Sequence, residues 1–166
     1  ITSGGNLLIG TATAETLWDF APKLQVEGTN AATSSISAFR NSDDASGAMV
    51  VLGSSRGGAV NADTVVEDDD VLGRVVFVGA DGSDRSPVGA MVEAAVDGTP
   101  GSNDLPARLG FYTTADGAAT ATERMRITSA GKLGINEATP ILHLHVTNDA
   151  ATNPSYASDQ CAIFED

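Results

Sequence analysis

The passage Ile1-Thr2-Ser3-Gly4-Gly5-Asn6-Leu7-Leu8-Ile9-Gly10 returns late in the chain as Ile127-Thr128-Ser129-Ala130-Gly131-Lys132-Leu133-Gly134-Ile135-Asn136. The likeness continues in the same order. Leu24-Gln25-Val26 answers Leu144-His145-Val146, Asn30-Ala31-Ala32-Thr33 answers Asp149-Ala150-Ala151-Thr152, and Ala38-Phe39 lines up with Ile163-Phe164. The offset is 126 for the first block (127 − 1) and 120 for the second (144 − 24), so the connecting loops differ by six residues. A chain that repeats itself is built by adding like units, and the period narrows the folds open to it. Residues 1–27 are therefore expected to end one unit, 28–140 to form a complete β-rich unit, and 141–166 to begin the next.

Within the complete unit the apolar residues alternate with period two. In Val88–Val96 every even position is apolar, while the odd positions include Glu93. Leu109 and Phe111 share a face, as do Met125 and Ile127, with Arg124 and Arg126 pointing the other way. Residues 73–78 read as a strand buried on both faces except at Arg74. Weaker strands are expected at 6–9, 23–26, 35–39, 48–53, 132–135, 142–146 and 161–165. Turn signals separate them: Asp81-Gly82, Asp97-Gly98-Thr99-Pro100-Gly101, Asp116-Gly117 and Ser129-Ala130-Gly131. Residues 14–18 could hold one helical turn, but a loop is expected, with Trp18 packed on Phe20. The fold class is all-β, with short antiparallel strands and hairpins in a repeat-built module.

Only 5% of residues are aromatic, and much of the 42% hydrophobic fraction is Ala and Val. Small side chains bury little surface each, so such a unit must form thin layers or pack against copies of itself. Nine basic against 22 acidic residues give a net charge of −13, which repels phosphate backbones and anionic lipid. No nucleic-acid partner and no membrane insertion are expected. The single cysteine, Cys161, leaves no intrachain disulfide.

The stretches DVLGRVVFVGADGSD (70–84), EAAVDGTPGSNDLPARLGFYTTADGA (93–118) and TERMRITSAGKLGI (122–135), followed by Pro140 and LHV (144–146), resemble a passage common in tail-fibre proteins of marine and other bacteriophages. LGSSRGG (52–58) belongs to the same resemblance, which takes in roughly two-thirds of the chain. It implies an intertwined homotrimeric fibre module, a shaft or spacer supporting host attachment. Such a protein is a virion component assembled in the host cytoplasm, with itself, other tail-fibre or baseplate proteins, and a host-surface glycan or protein as partners. Two alternatives stand beside it: a glycan-binding receptor module, and a repeat of a bacterial extracellular fibre or adhesin.

Chemistry-bearing constellations are few. His143 and His145 form a His-x-His that could ring a metal on a threefold axis, but the earlier copy has Lys23 and Gln25 there, and solvent-facing imidazoles are expected. Glu67-Asp68-Asp69-Asp70 and Asp43-Asp44 are dense in carboxylates yet lack the spacing of a calcium loop, so charged turns are expected. Gly53-Ser54-Ser55-Arg56-Gly57 has no nucleophile-elbow context. The chain is expected to be no enzyme and to carry no catalytic residue, cofactor or resident metal. Arg124 and Arg126 are expected to pair with acidic residues on a neighbouring strand.

Overall fold

The computed structural model describes residues 1–18 and 20–147. Eight strands form among them: β1 (Leu7–Ile9), β2 (Leu24–Val26), β3 (Val71–Val78), β4 (Val88–Val96), β5 (Ala107–Thr113), β6 (Thr122–Ile127), β7 (Leu133–Ile135) and β8 (Leu144–Val146). The architecture is all-β, and no helix occurs among the described residues. The expected strand at 161–165, and the later halves of the last two repeat matches, lie outside them.

Contacts divide the chain into two units, Ile1–Val51 with Val78–Pro87 and Leu52–Phe77 with Val88–Asp166. The first holds the two-stranded parallel sheet β1-β2. The second is built on one sheet in the order β3-β4-β5-β6-β7-β8. Its pairs β4-β5, β5-β6 and β6-β7 are antiparallel, as alternation and hairpin turns require, whereas β7-β8 is parallel. Gly98, Gly117 and Gly131 all take positive φ at the expected turns, a backbone region that costs residues with a Cβ.

The sequence repeat is also a repeat of hydrogen bonds. In the first copy Thr2 N donates to Asn6 O (2.9 Å), Gly5 N to Thr2 O (2.9 Å), Leu7 N to Lys23 O (2.7 Å) and Glu27 N to Ile9 O (2.9 Å). In the second, Thr128 N donates to Lys132 O (2.9 Å), Gly131 N to Thr128 O (2.9 Å), Leu133 N to His143 O (2.8 Å) and Thr147 N to Ile135 O (3.0 Å). The threonine hydroxyl closes both turns, accepting from Asn6 N at 3.1 Å and from Lys132 N at 3.2 Å. Pairing register matches too, Leu7 with Leu24 and Ile9 with Val26 against Leu133 with Leu144 and Ile135 with Val146.

Two of the strand expectations differ from the structure. Residues 35–39 and 48–53 form no strand, and Ile36, Phe39, Met49, Val50 and Val51 are exposed; a local apolar pattern becomes a strand only when a second strand accepts its hydrogen bonds. β3 is likewise not buried on both faces. It is one of the sheet's two edge strands, and Val75 and Phe77 are exposed.

Candidate functional site

The six-stranded sheet separates its two faces by register. One cross-strand row runs Ala94, Leu109, Ile127, Leu133, Leu144, and the next runs Val92, Phe111, Met125, Ile135, Val146. Both rows are apolar from end to end and span five strands, about 19 Å at the usual strand spacing. Packing within the chain does not bury them. Leu109, Ile127 and Ile135 keep 38%, 41% and 38% of their surface exposed, while Val96 at the end of β4 reaches 0%. Fully burying one such side chain is worth about 2 kcal/mol, so this face holds the largest unused stabilisation in the sheet.

The row between these two points to the other face and reads Glu93, Gly110, Arg126, Gly134, His145. Large polar groups alternate with glycine, and the glycines make the space. A Cβ at Gly110 would stand 2.8 Å from the Tyr112 ring, which lies over it, and a Cβ at Gly134 would stand 2.1 Å from Glu137 O. Tyr112 thereby brings its hydroxyl to 3.1 Å from both Glu93 Oε1 and Glu123 Oε2. Arg74 Nε donates to Glu93 Oε2 at 2.6 Å, and Arg126 grips Glu123 with Nε and Nη2 at 2.5 and 2.7 Å. The expectation that Arg126 meets an acid on an adjacent strand is therefore corrected: its carboxylate is three residues back on β6. A bulge makes this possible. Phe111 pairs with Met125 but Tyr112 with Glu123, leaving Arg124 as an extra residue. The extra residue reverses the phase of the alternation and carries Glu123 off the apolar face. Arg124 itself donates to Thr113 Oγ1 at 3.2 Å.

Burial, and then the charges of Glu93 and Glu123, push the Tyr112 phenol up to about 12 from 10.0. The folded chain holds this proton to higher pH than the unfolded one. The stabilisation is complete below pH 10 and is lost as pH rises through about 12. Urea melts of wild type and Tyr112→Phe should thus converge between pH 10 and 12, with the loss carried by the wild type alone. A parallel pH dependence of the two would refute the network.

His143 is exposed beside β8, and among the described residues only its carbonyl is engaged, by Leu133 N. His145, expected to face solvent, is instead largely covered: its side chain is 13% exposed, with Nδ1 3.9 Å from Glu137 Oε2. Gly134, in register with it, leaves room for the Glu137 carbonyl, where a Cβ would stand 2.1 Å from the oxygen. Glu137 is held below the usual carboxylate range, first by the Thr139 N–H and hydroxyl and further by His145 and Arg126. At the matching place in the first copy Gln25 clamps the longer loop, donating to Glu15 O at 2.6 Å and accepting from Glu15 N at 3.0 Å.

The acidic turns are tied internally. Arg56 bonds Asp70 through Nε and Nη2 at 2.6 and 2.8 Å, holding its carboxyl down to about 2, and reaches Glu67 at 2.8 Å. Asp68 accepts from Gly98 N and Asp69 pairs with Arg108, while Arg40 bonds Asp44 twice and keeps it well below its ordinary value. Among the described residues no three His, Cys, Asp or Glu side chains are gathered as a metal-binding group. Trp18 and Phe20 pack with ring centroids 6.1 Å apart. One open groove of about 500 Å³ has an apolar floor from Ile9, Leu24, Val26 and Ile36, and another of about 400 Å³ runs past Asp63, Asn103 and Asp104. Neither is lined by an aromatic ring.

No protein-family profile matches the chain, and no curated protein matches it. Among solved structures, the carboxy-terminal domain of the bacteriophage T5 L-shaped tail fibre is similar over 61% of this chain, with a TM-score of 0.49 and 16% identity. The match spans 36% of that neighbour, little more than a third of its length. The all-β architecture of the present chain stands on its own hydrogen-bonded register.

Proposed function

We propose that the chain is a non-enzymatic structural module of a phage tail fibre, a homotrimeric spacer that supports host attachment and forms part of the virion. One observation carries the proposal: two complete apolar rows lie on a sheet face that none of the chain's own packing fully buries, with Leu109, Ile127 and Ile135 38–41% exposed. A sheet needs a second layer over its apolar face, and copies of the same chain supply one by symmetry. Three such faces turned inward make a prism with the polar rows outward. The sequence passages quoted above, rather than any pocket, connect that prism to tail fibres.

In this setting the module acts through geometry. A stiff stalk holds distal contacts at fixed spacing, and linked weak contacts gain avidity without new chemistry. The net charge of −13 keeps the polar outer faces soluble. Sedimentation equilibrium tests the proposal. Three times the chain mass is expected over a range of concentrations, together with a β-type circular dichroism spectrum. A single-chain mass with that same spectrum overturns it.

A further inference from the structure

The two copies of the repeated motif differ on one side. In the second copy, β7 is paired on both edges, by β8 and by β6. Gly134 sits in register with Arg126, and Asn136 N donates to Arg124 O at 2.8 Å. In the first copy Leu7 and Ile9 turn their backbone groups toward β2. Leu8 and Gly10, the counterparts of Gly134 and Asn136, turn theirs away, and among the described residues these amides have no backbone partner. Gly10 and Asn136 share positive φ, 83° and 56°, so the edge ends in the same way in both copies. Ile9 is 48% exposed and Ile1, the counterpart of Ile127, is 95% exposed.

From this recurrence we infer that the outer edge of β1 is a docking edge for one antiparallel strand of the β6 kind. The strand places an apolar residue beside Ile9 and a basic residue opposite Leu8, and it enters the turn at Ile1. The filled copy gives the recognition chemistry. Met125 sits beside Ile135, Ile127 beside Leu133, and Arg126 on the opposite face. An unpaired edge is a template for strand addition, with main-chain bonds giving affinity and alternate side chains giving register. A basic strand also suits a chain of net charge −13. Successive modules would be stitched by sheet continuity, whether or not they associate in threes.

A direct test fuses Thr-Glu-Arg-Met-Arg ahead of Ile1 of the full chain and follows amide exchange at Leu8 and Gly10 by NMR. Exchange at both should slow by about tenfold or more, and the midpoint of thermal unfolding should rise. Adding Leu8→Pro removes the outward N–H without touching a β1-β2 bond, and it should return Gly10 to the unfused rate. Equal slowing by a fusion of scrambled order overturns the inference, as does an unchanged rate in the fused chain. Protection of Leu8 that rises with concentration in the unfused chain also overturns it, because the edge would then be filled by a second copy.

Discussion

Leu109→Asp is expected to leave the strand order intact and to convert the proposed trimer into single chains. Leu109 lies mid-row on the apolar face, flanked by Ala94 and Ile127, and is already 38% exposed in the isolated chain. In a lone molecule the new carboxylate reaches water at little cost. Buried between copies it has no cation to meet, because every neighbour in its row and the next is apolar, and the penalty is on the order of 3–5 kcal/mol per chain. In the proposed trimer that penalty applies three times in one assembly. Sedimentation velocity at micromolar chain concentration reads the change, with Ala115→Asp, on an exposed turn, as the control that stays associated. If Leu109→Asp sediments as the wild type does, the apolar rows are not the interface.

Much of this face can be read from the residues alone. Even-numbered apolar positions in Val88–Val96, the Leu109 and Phe111 pair, and the Met125 and Ile127 pair assign themselves to one side, because side chains on a strand alternate with period two. The repeat locates β1, β2, β7 and β8, three-residue strands whose alternation is too short to be persuasive by itself. The joins between strands are less legible. The parallel β7-β8 pair depends on where the chain returns after Pro140, which no local pattern encodes. The bulge at Arg124 reverses the side taken by Glu123, and simple alternation would have left that carboxylate among Met125 and Ile127. Gly110 and Gly134 read as interruptions in apolar strands, and only the folded chain shows them clearing space for the Tyr112 ring and the Glu137 carbonyl. Residues 48–53 teach the opposite lesson: Met49-Val50-Val51-Leu52 has strand character in every residue, yet pairing is a property of two strands, and no second one meets it among the described residues.

On the polar face, removing Arg74 should cost more than removing the charge of its partner. Glu93 has a side chain only 8% exposed, whereas that of Arg74 is 36% exposed. Arg74→Met strands a carboxylate that little water reaches. Tyr112 gives no full compensation, because its single proton is shared between Glu93 and Glu123. A loss of about 3 kcal/mol is expected, as for other buried pairs broken on one side. Glu93→Gln keeps an acceptor for Arg74 and a polar contact for Tyr112, and the guanidinium can turn to solvent, so about 1 kcal/mol is lost. The double change Arg74→Met with Glu93→Leu should recover most of the deficit, because both the buried charge and its partner are then gone. Urea unfolding at one fixed chain concentration measures all three, with concentration held constant since association feeds into apparent stability. Should Glu93→Gln prove the more damaging single change, the pair is held by the arginine's needs rather than the carboxylate's. The row of glycines beneath it would then need a different physical account.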